Sequence, residues 1–301
     1  MSVVLVDGNS IAWRAMHAGA GLQHDGASTG CSFLFLRMLR GLLADLGNVQ
    51  RVTVAWDGGI PEFRRKVFPQ YKAQRQTHNT EAEARERRAV FQSDANFLSL
   101  HALPLLGVQQ VRVQGWEADD VLAWLLPDTQ ARQRVVYSGD RDLWQLIDAS
   151  TFVYDPRLQT LLDLDTLPRH TQVATPQRWL LYRILTGDAS DGIPGVGGVG
   201  KKRGLQLAQH ARPWPESGEK LFGTDWTFKR LFPAYRNYQL MSLAYARDEL
   251  AKTLIALRAT PSWRPAQRQL DKARAAVDSR GMASLVETWP EWTKPFALLE
   301  G

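Results

Sequence analysis

Short apolar runs that lead into acidic residues constrain the fold of this chain more than any other feature. The runs are four to six residues long and do not alternate with polar residues, which is typical of strands buried on both faces of a parallel sheet. They cover residues 2–6, 52–56, 108–113 and 135–138, and a short strand pair is predicted near 152–154 and 160–162. Helical patterns separate the main runs, so the sequence predicts an α/β fold with a mainly parallel sheet.

The acidic residues follow these runs at equivalent positions. Ligands of open α/β sheets gather at the carboxyl ends of the strands, so we expect the carboxylates to converge on one cleft. Nine residues are candidates: Asp7, Asp57, Glu117, Asp119, Asp120, Asp140, Asp142, Asp188 and Asp191. So many like charges need a cation among them. Oxygen ligands without a His or Cys cage favour Mg²⁺ or Mn²⁺ over Zn²⁺.

The overall charge indicates the kind of substrate. The chain has 37 Lys and Arg against 31 Asp and Glu, a net charge of +6, although nine acidic residues are assigned to the cleft. A basic body around an acidic cleft fits an enzyme that acts on nucleic acid. Cys31 is the only cysteine, and no signal peptide or membrane-length apolar segment is seen. We therefore expect a cytoplasmic protein without a membrane partner. We also expect a monomer.

The pattern of elements predicts three regions. Residues 1–174 form the α/β core, with an insertion at about 60–102. Residues 175–255 read as wholly helical and form a second lobe, whose first helix, about 177–186, is capped by Thr175 and Pro176. Residues 256–301 show a weak pattern, from which we expect a helical tail packed against the core.

The insertion after the second strand combines basic and aromatic residues. Arg64, Arg65, Tyr71, Lys72 and Arg75 lie in a segment that is too polar to be core. Interleaved aromatic and cationic groups suit single-stranded nucleic acid, because bases stack and phosphates pair with the cations. The later Glu/Arg-rich part of the insertion is interpreted as a solvated helix face.

The glycine-rich stretch from Gly195 to Lys202 resembles two nucleotide-binding patterns but fits neither. No strand precedes it, and Lys202 stands where a phosphate loop needs Ser or Thr. A tight hairpin before a helix that begins near residue 200 fits better, since backbone N–H groups and the helix N-terminus could then face a phosphate. A plain helix connection is the alternative. The predicted DNA contacts here are Gly195, Gly197, Gly198, Gly200, Lys201 and Lys202.

Six motifs in order give the chain a family resemblance that covers about residues 3–205. They are Leu5-Val-Asp-Gly8, Trp56-Asp-Gly58, Tyr71-Lys-x-x-Arg75, Glu117-Ala-Asp-Asp120, Ser138-Gly-Asp-Arg-Asp-Leu143 and Gly187-Asp-x-x-Asp-Gly-Ile-Pro-Gly-Val-x-Gly-Val-Gly-Lys201. In this the chain resembles the flap endonuclease/5′→3′ exonuclease family, including free-standing phage and bacterial 5′-nucleases and the N-terminal domain of bacterial DNA polymerase I. Trp56 replaces the usual Phe, and the last hundred residues match only loosely.

The resemblance implies a PIN-like core, a helical arch and a helix–hairpin–helix lobe that binds duplex DNA. It implies that Asp7, Asp57, Glu117 and Asp119 hold one Mg²⁺ or Mn²⁺ ion. Asp120, Asp140, Asp142, Asp188 and Asp191 would serve a second ion or its surroundings. Lys72 and Arg75 would act on the scissile phosphate beside Tyr71, and the hairpin would bind K⁺ against the duplex.

The implied function is a metal-dependent 5′→3′ exonuclease or flap endonuclease that acts on DNA with a 5′ flap, a 5′ end or a single-strand/duplex junction. Two alternatives remain at this point. A PIN-type ribonuclease shares the acidic sheet edge, but the basic insertion and the hairpin disfavour it. A junction-binding protein without activity would be expected to lack cleft carboxylates, and all nine are present.

Overall fold

The fold is built around a seven-stranded sheet. The computed structural model describes residues 2–73, 82–210, 228–258 and 260–300. Five neighbouring strands run parallel, and an antiparallel strand is added at each edge. In order across the sheet the strands are β11 (Ser262–Arg264), β5 (Gln109–Arg112), β4 (Val49–Trp56), β1 (Ser2–Asp7), β6 (Gln133–Tyr137), β7 (Thr151–Asp155) and β8 (Thr160–Leu162). The predicted α/β class is confirmed.

Helices cover both faces of the sheet, as expected for a parallel sheet whose strands are apolar on both sides. They are α1 (Gly8–Ala18), α2 (Gly30–Leu46), α3 (Glu62–Val67), α4 (Ala82–Phe97), α5 (Ala118–Leu125), α6 (Leu167–Thr171), α7 (Pro176–Thr186), α8 (Lys201–His210), α9 (Phe228–Met241), α10 (Leu243–Leu257), α11 (Leu270–Asp278), α12 (Ala283–Val286) and α13 (Trp289–Thr293). Val3 and Leu5 of β1 share a buried cluster with α5, α7 and α10. Val4 and Val6 share the other cluster with α1, α2 and the C-terminal helices.

Two short strand pairs lie outside the seven-stranded sheet. Strands β2 (Gln23–His24) and β3 (Ala27–Ser28) form a small hairpin between α1 and α2. Strands β9 (Gly187–Asp188) and β10 (Ile193–Pro194) pair inside the region that was predicted to be wholly helical. That prediction is wrong at this point because Gly187, at φ +73°, ends α7, and the chain then closes a loop.

The C-terminal region contributes more to the core than the sequence pattern indicated. Besides its helices it supplies β11, which pairs with β5 and extends the sheet. In addition, Arg280 donates to the buried carboxylate of Asp94 in α4 at 2.9 Å, and its guanidinium lies 4.6 Å from the ring centroid of Phe97. The tail therefore holds the end of the insertion that leads back to the sheet.

Candidate active site

The carboxyl ends of four adjacent strands bring four acidic residues together. Asp7 ends β1, Asp57 follows β4, Glu117 follows β5, and Asp140 follows β6. Because these strands are neighbours in the sheet and run parallel, their following loops share one edge. The convergence expected from the apolar runs is thus present in the fold.

Asp7 is held by the loops on both sides of it. One carboxylate oxygen caps α1 by accepting the backbone N–H of Ser10 at 3.0 Å, and the other accepts the Ser138 hydroxyl at 2.9 Å. Burial, together with the charge of Asp57, raises the pKa of Asp7 to about 7. The anionic form of a carboxyl group that resists ionisation in this way is stabilised further by a nearby cation.

Asp57 connects three loops, and the glycine that follows it is required by packing. Its carboxylate accepts the backbone N–H of Ala118 at 2.9 Å, and its own N–H donates to the side chain of Asn9 at 3.1 Å. A Cβ atom on Gly58 would lie 1.9 Å from the carbonyl oxygen of Val113. The Trp-Asp-Gly motif therefore fixes how closely the loops after β4 and β5 approach each other.

The Glu117-Ala-Asp-Asp120 motif forms the tightest acidic group among the described residues. Oxygen atoms of Glu117, Asp119 and Asp120 all lie within 4.8 Å of one another, a spacing that could hold a metal ion. Burial and the charge of Asp120 hold the pKa of Asp119 well above its usual range. Because α5 begins at Ala118, this group sits at a helix N-terminus, where negative charge is favoured.

Arg64 was predicted to contact DNA, and that prediction is wrong. Its side chain is only 2% exposed. The guanidinium donates to Glu117 at 2.7 Å, to both oxygens of Asp120 at 2.6 and 2.7 Å, and to the backbone carbonyl of Leu240 at 2.9 Å. A fully engaged interior cation cannot reach a phosphate, whereas its neighbour Arg65 is exposed.

Tyr71 and Lys72 reach into the cleft from the insertion. The Lys72 ammonium pairs with Glu117 and lies 3.5 Å from a carboxylate oxygen of Asp191. The Tyr71 hydroxyl donates to Glu117 at 3.1 Å. Burial alone would lower the pKa of Lys72, but the negative charges of Glu117 and Asp191 outweigh it and hold the pKa above its usual range. Lys72 is therefore charged among the carboxylates, and its catalytic role remains a prediction.

Backbone geometry reinforces this position. Lys72 has φ +55°, in the left-handed region that L residues seldom adopt, and its N–H donates to the backbone carbonyl of Asp191 at 2.9 Å. Backbone strain of this kind persists where the surrounding contacts hold the residue in place. Arg75, the other predicted catalytic cation, lies outside the described residues.

Asp140, Asp142, Asp188 and Asp191 form a second acidic group. It contains a cation that the motifs did not reveal. Asp140 accepts the N–H of Asp142 at 2.8 Å, and Asp188 accepts the N–H of Ser190 at 2.8 Å. Arg183 of α7 donates to Asp142 at 3.0 Å and also pairs with Asp188. Burial and the charge of Asp140 raise the pKa of Asp142 to about 7 despite this pairing.

The available signal for Arg183 is a cationic residue one helical turn before Gly187 and Asp188, and it lies outside the six motifs. An open cleft of about 360 Å³ runs along this second group. It is lined by Ser10, Gly139, Asp140, Arg141, Arg157, Arg183, Asp188, Ser190 and Asp191.

The glycine-rich stretch forms the predicted tight connection between α7 and α8. A Cβ on Gly195 would lie 2.7 Å from the carbonyl oxygen of Thr186, and Gly198 has φ +76°. The space beside Gly197 and Gly200 is open. Lys201 and Lys202 are exposed in the first turn of α8. Contact of these residues with DNA remains a prediction.

Asn237 of α9 links the glycine-rich connection to the acidic cleft by hydrogen bonds. This residue was not among the predicted site residues. The buried amide donates to the carbonyl oxygens of Ile184 and Pro194, each at 2.9 Å. These two residues flank the loop that carries Asp188 and Asp191. The hairpin and the second acidic group are therefore positioned by one side chain.

Comparison with known proteins gives a family match and a fold match. The model of the 5′-3′ exonuclease N-terminal resolvase-like domain matches residues 2–173. DNA polymerase I of Thermus filiformis is 32% identical over 207 residues, and that of Bacillus subtilis is 32% identical over 212, each match covering 68% of this chain. The chain spans about a quarter of the length of these curated relatives, since each match covers 23% of the polymerase.

The solved structures support the architecture over nearly the whole chain. The flap endonuclease of bacteriophage T5, solved with DNA and metal ions, aligns with a TM-score of 0.66 at 18% identity and covers 98% of this chain and 100% of its own. The catalytic core of Rad2, solved with a DNA substrate, aligns with a TM-score of 0.53 at 17% identity and covers 98% and 92%. The PIN-like fold is thus shared.

None of the described helices is long and apolar enough to cross a membrane.

Proposed function

Because the chain belongs to the 5′-3′ exonuclease family through this N-terminal domain, we propose that it is a metal-dependent, structure-specific 5′ nuclease acting on DNA. Its substrates are DNA with a 5′ flap, a 5′ end or a single-strand/duplex junction, and it hydrolyses phosphodiester bonds as a monomer. The observation that carries the proposal is the contact of Lys72 from the insertion with Glu117 and Asp191 in the acidic cleft. A cation from a basic, aromatic segment at a carboxylate cluster is suited to stabilising the charge that develops when a polyanion is hydrolysed.

The donor set of the cleft fits hard divalent cations. Every candidate ligand is a carboxylate oxygen, which suits Mg²⁺ or Mn²⁺. We assign Asp7, Asp57, Glu117 and Asp119 to one ion, and the four residues Asp140, Asp142, Asp188 and Asp191 to the second. Asp120 departs from the expected set, because Arg64 occupies both of its oxygens.

The protein's own groups have separate tasks in this reaction. When bound, the two ions supply charge neutralisation and an activated water for in-line displacement at phosphorus. Lys72 leaves its carboxylate partners for a phosphoryl oxygen and stabilises the negative charge that gathers there. Tyr71 orients Glu117 through its hydroxyl and supports the Lys72 ammonium, which lies 5.0 Å from the ring centroid. Arg75 is assigned a similar electrostatic role from the family motif alone.

Duplex binding is assigned to the second lobe. The exposed Lys201 and Lys202 at the start of α8, with the N-terminus of that helix, suit a phosphate of the duplex. We propose that backbone carbonyls of the Gly195–Gly200 connection would hold K⁺, which would supply positive charge against this phosphate. Residues 1–174 then carry the chemistry with the arch at about 60–102, residues 175–255 bind duplex DNA, and 256–301 form the tail.

A cleavage assay tests this function against both alternatives. Three substrates are compared with and without Mg²⁺: a 5′-flap duplex, a blunt duplex and an RNA version of the flap. We expect Mg²⁺-dependent cleavage of the DNA flap, and an Asp119→Asn variant should be at least about a hundredfold slower with nearly unchanged DNA affinity. Asp25→Asn, at an exposed position, is the matched control.

Each alternative has its own signature in the same assay. Cleavage of the RNA in preference to DNA would favour a ribonuclease. Tight flap binding without cleavage under any metal would favour a junction-binding protein. Full activity after metal stripping and addition of EDTA would contradict the metal-dependent mechanism itself.

A further inference from the structure

Arg157 lies beside the acidic cleft but belongs to none of the motifs. It follows β7, in the turn that leads to β8, and it lines the same cleft as Asp140 and Asp191. Its side chain passes close to Gly139, where a Cβ atom would be 3.7 Å from the Arg157 Cδ. The residue is therefore next to the loop that carries the second acidic group.

A buried carboxylate fixes the orientation of this arginine. Asp155 is fully buried, and it accepts Nε of Arg157 at 3.1 Å and Nη2 at 2.6 Å. The backbone N–H of Arg157 donates to the same carboxylate at 2.8 Å. A two-point contact of this kind holds the planar guanidinium in one direction, so little side-chain entropy remains to be lost when a ligand binds.

Arg157 differs in its pairing from Arg183, which lines the same cleft. Arg183 is paired with Asp142 and Asp188, both members of the acidic group. Asp155 is not a member, so this pairing orients Arg157 without engaging a carboxylate of the acidic group. Its side chain is 38% exposed, and Nη1 donates no hydrogen bond within the part of the chain that the structure describes. A guanidinium can donate from five N–H groups, and those of Nη1 are available here.

We propose that Arg157 binds a phosphate of the cleaved DNA strand adjacent to the scissile phosphate, and this inference rests on the proposed function. A phosphate that enters an acidic cleft is repelled by the carboxylates, and a fixed cation at the rim offsets that repulsion. The exposed edge of the guanidinium matches two phosphate oxygens. Arg157 is thus a residue that positions the substrate strand, and Asp155 positions Arg157.

Binding and cleavage measurements on matched variants test this role. Affinity for the 5′-flap duplex is measured in Mg²⁺ on an Asp119→Asn background over a series of salt concentrations. Arg157→Ala should raise Kd about five- to thirtyfold and reduce the salt slope by about one unit, as one lost phosphate contact predicts. Arg157→Lys should keep the slope but lose part of the affinity, because Lys cannot make the two-point contact. Arg132→Ala, an exposed arginine just before β6, should leave both unchanged.

Asp155→Asn distinguishes a phosphate contact from a purely structural pair. It keeps the cation and loosens its orientation, so Kd should rise less than in Arg157→Ala while the salt slope stays normal. If Arg157→Ala does not fold, the Kd for the flap duplex is measured on Arg157→Lys and Asp155→Asn instead. Wild-type affinity in both variants would overturn the inference. Wild-type Kd and slope in a folded Arg157→Ala protein would do the same.

An assay of the parent enzyme separates a wrong role for Arg157 from a wrong function for the protein. The parent enzyme is first assayed for Mg²⁺-dependent flap cleavage without any variant. Absence of cleavage contradicts the proposed function. Cleavage by the parent, combined with Arg157→Ala binding like the Arg132→Ala control, contradicts only the role of Arg157.

Discussion

Arg64 donates to both carboxylate oxygens of Asp120, at 2.6 and 2.7 Å, in the interior beneath the acidic cleft. Asp120 is fully buried, and the same guanidinium reaches Glu117 and the carbonyl of Leu240 in α9. One cation thereby joins the start of the insertion, the Glu117–Asp120 motif and α9. Its charge also offsets part of the acidic cluster independently of any metal.

Loss of this pair should destabilise the whole protein. Arg64→Met leaves the buried Asp120 without its partner, and breaking a buried ion pair in this way costs about 3–5 kcal/mol in the free energy of unfolding. Denaturant-induced unfolding measures the change. Arg65→Ala removes the neighbouring exposed arginine and should alter stability by less than about 0.5 kcal/mol. Similar values for the two variants would show that Arg64 does not support the fold.

Lys72→Ala should slow cleavage far more than it weakens binding. If Lys72 meets the scissile phosphate, single-turnover cleavage should fall about ten- to a thousandfold, the effect of one electrostatic stabiliser. Affinity should change less, because other phosphate contacts remain. Lys66→Ala is the control, since Lys66 is exposed and pairs with Glu62 at 2.8 Å. Equal, small effects of both changes would remove Lys72 from the mechanism.

The raised pKa values of Asp7 and Asp142, each about 7, predict a pH-dependent response to metal. In the metal-free protein these groups bind more protons folded than unfolded, so their contribution to stability falls as pH rises from about 4 to about 7. Metal binding needs the carboxylates ionised, and therefore competes with these protons below pH 7.

Thermal unfolding measures this competition. The rise in Tm on adding Mg²⁺ should be clearly larger at pH 8 than at pH 5.5. The Asp119→Asn variant is the comparison and should show a smaller rise at pH 8. A Tm increase that is independent of pH would contradict the assignment of Asp7 and Asp142 as ligands.

Substitution of the α8 lysines should weaken DNA binding without slowing the cleavage step. Lys201→Ala with Lys202→Ala should weaken duplex binding and reduce its salt slope by about one to two units. Turnover at saturating DNA should stay near normal. Lys252→Ala with Lys272→Ala changes two exposed lysines elsewhere and should leave the slope unchanged. A large fall in turnover with unaltered affinity would instead assign Lys201 or Lys202 to the reaction.

The sequence by itself determined the sheet and the acidic edge. Residues 2–6 and 52–56 are apolar without alternation, so they could only be buried on both faces, and the residues after them had to share one edge of a parallel sheet. The expected strands appear within a few residues of their predicted bounds. Local composition suffices here because burial of a strand and the site of its following loop are properties of a short segment.

Only the tertiary structure decided which charges remain available in the cleft. Arg64 and Arg65 are adjacent and chemically identical, yet one is buried against Asp120 and the other is exposed. Arg183 acquires Asp142 as a partner from a loop that packing brings against α7. Residues far apart in the chain set these contacts, and β11 likewise exists only because the edge of β5 is free to accept it. A pairing of this kind has no signature in a single segment, since its free energy depends on both partners and on the burial they share.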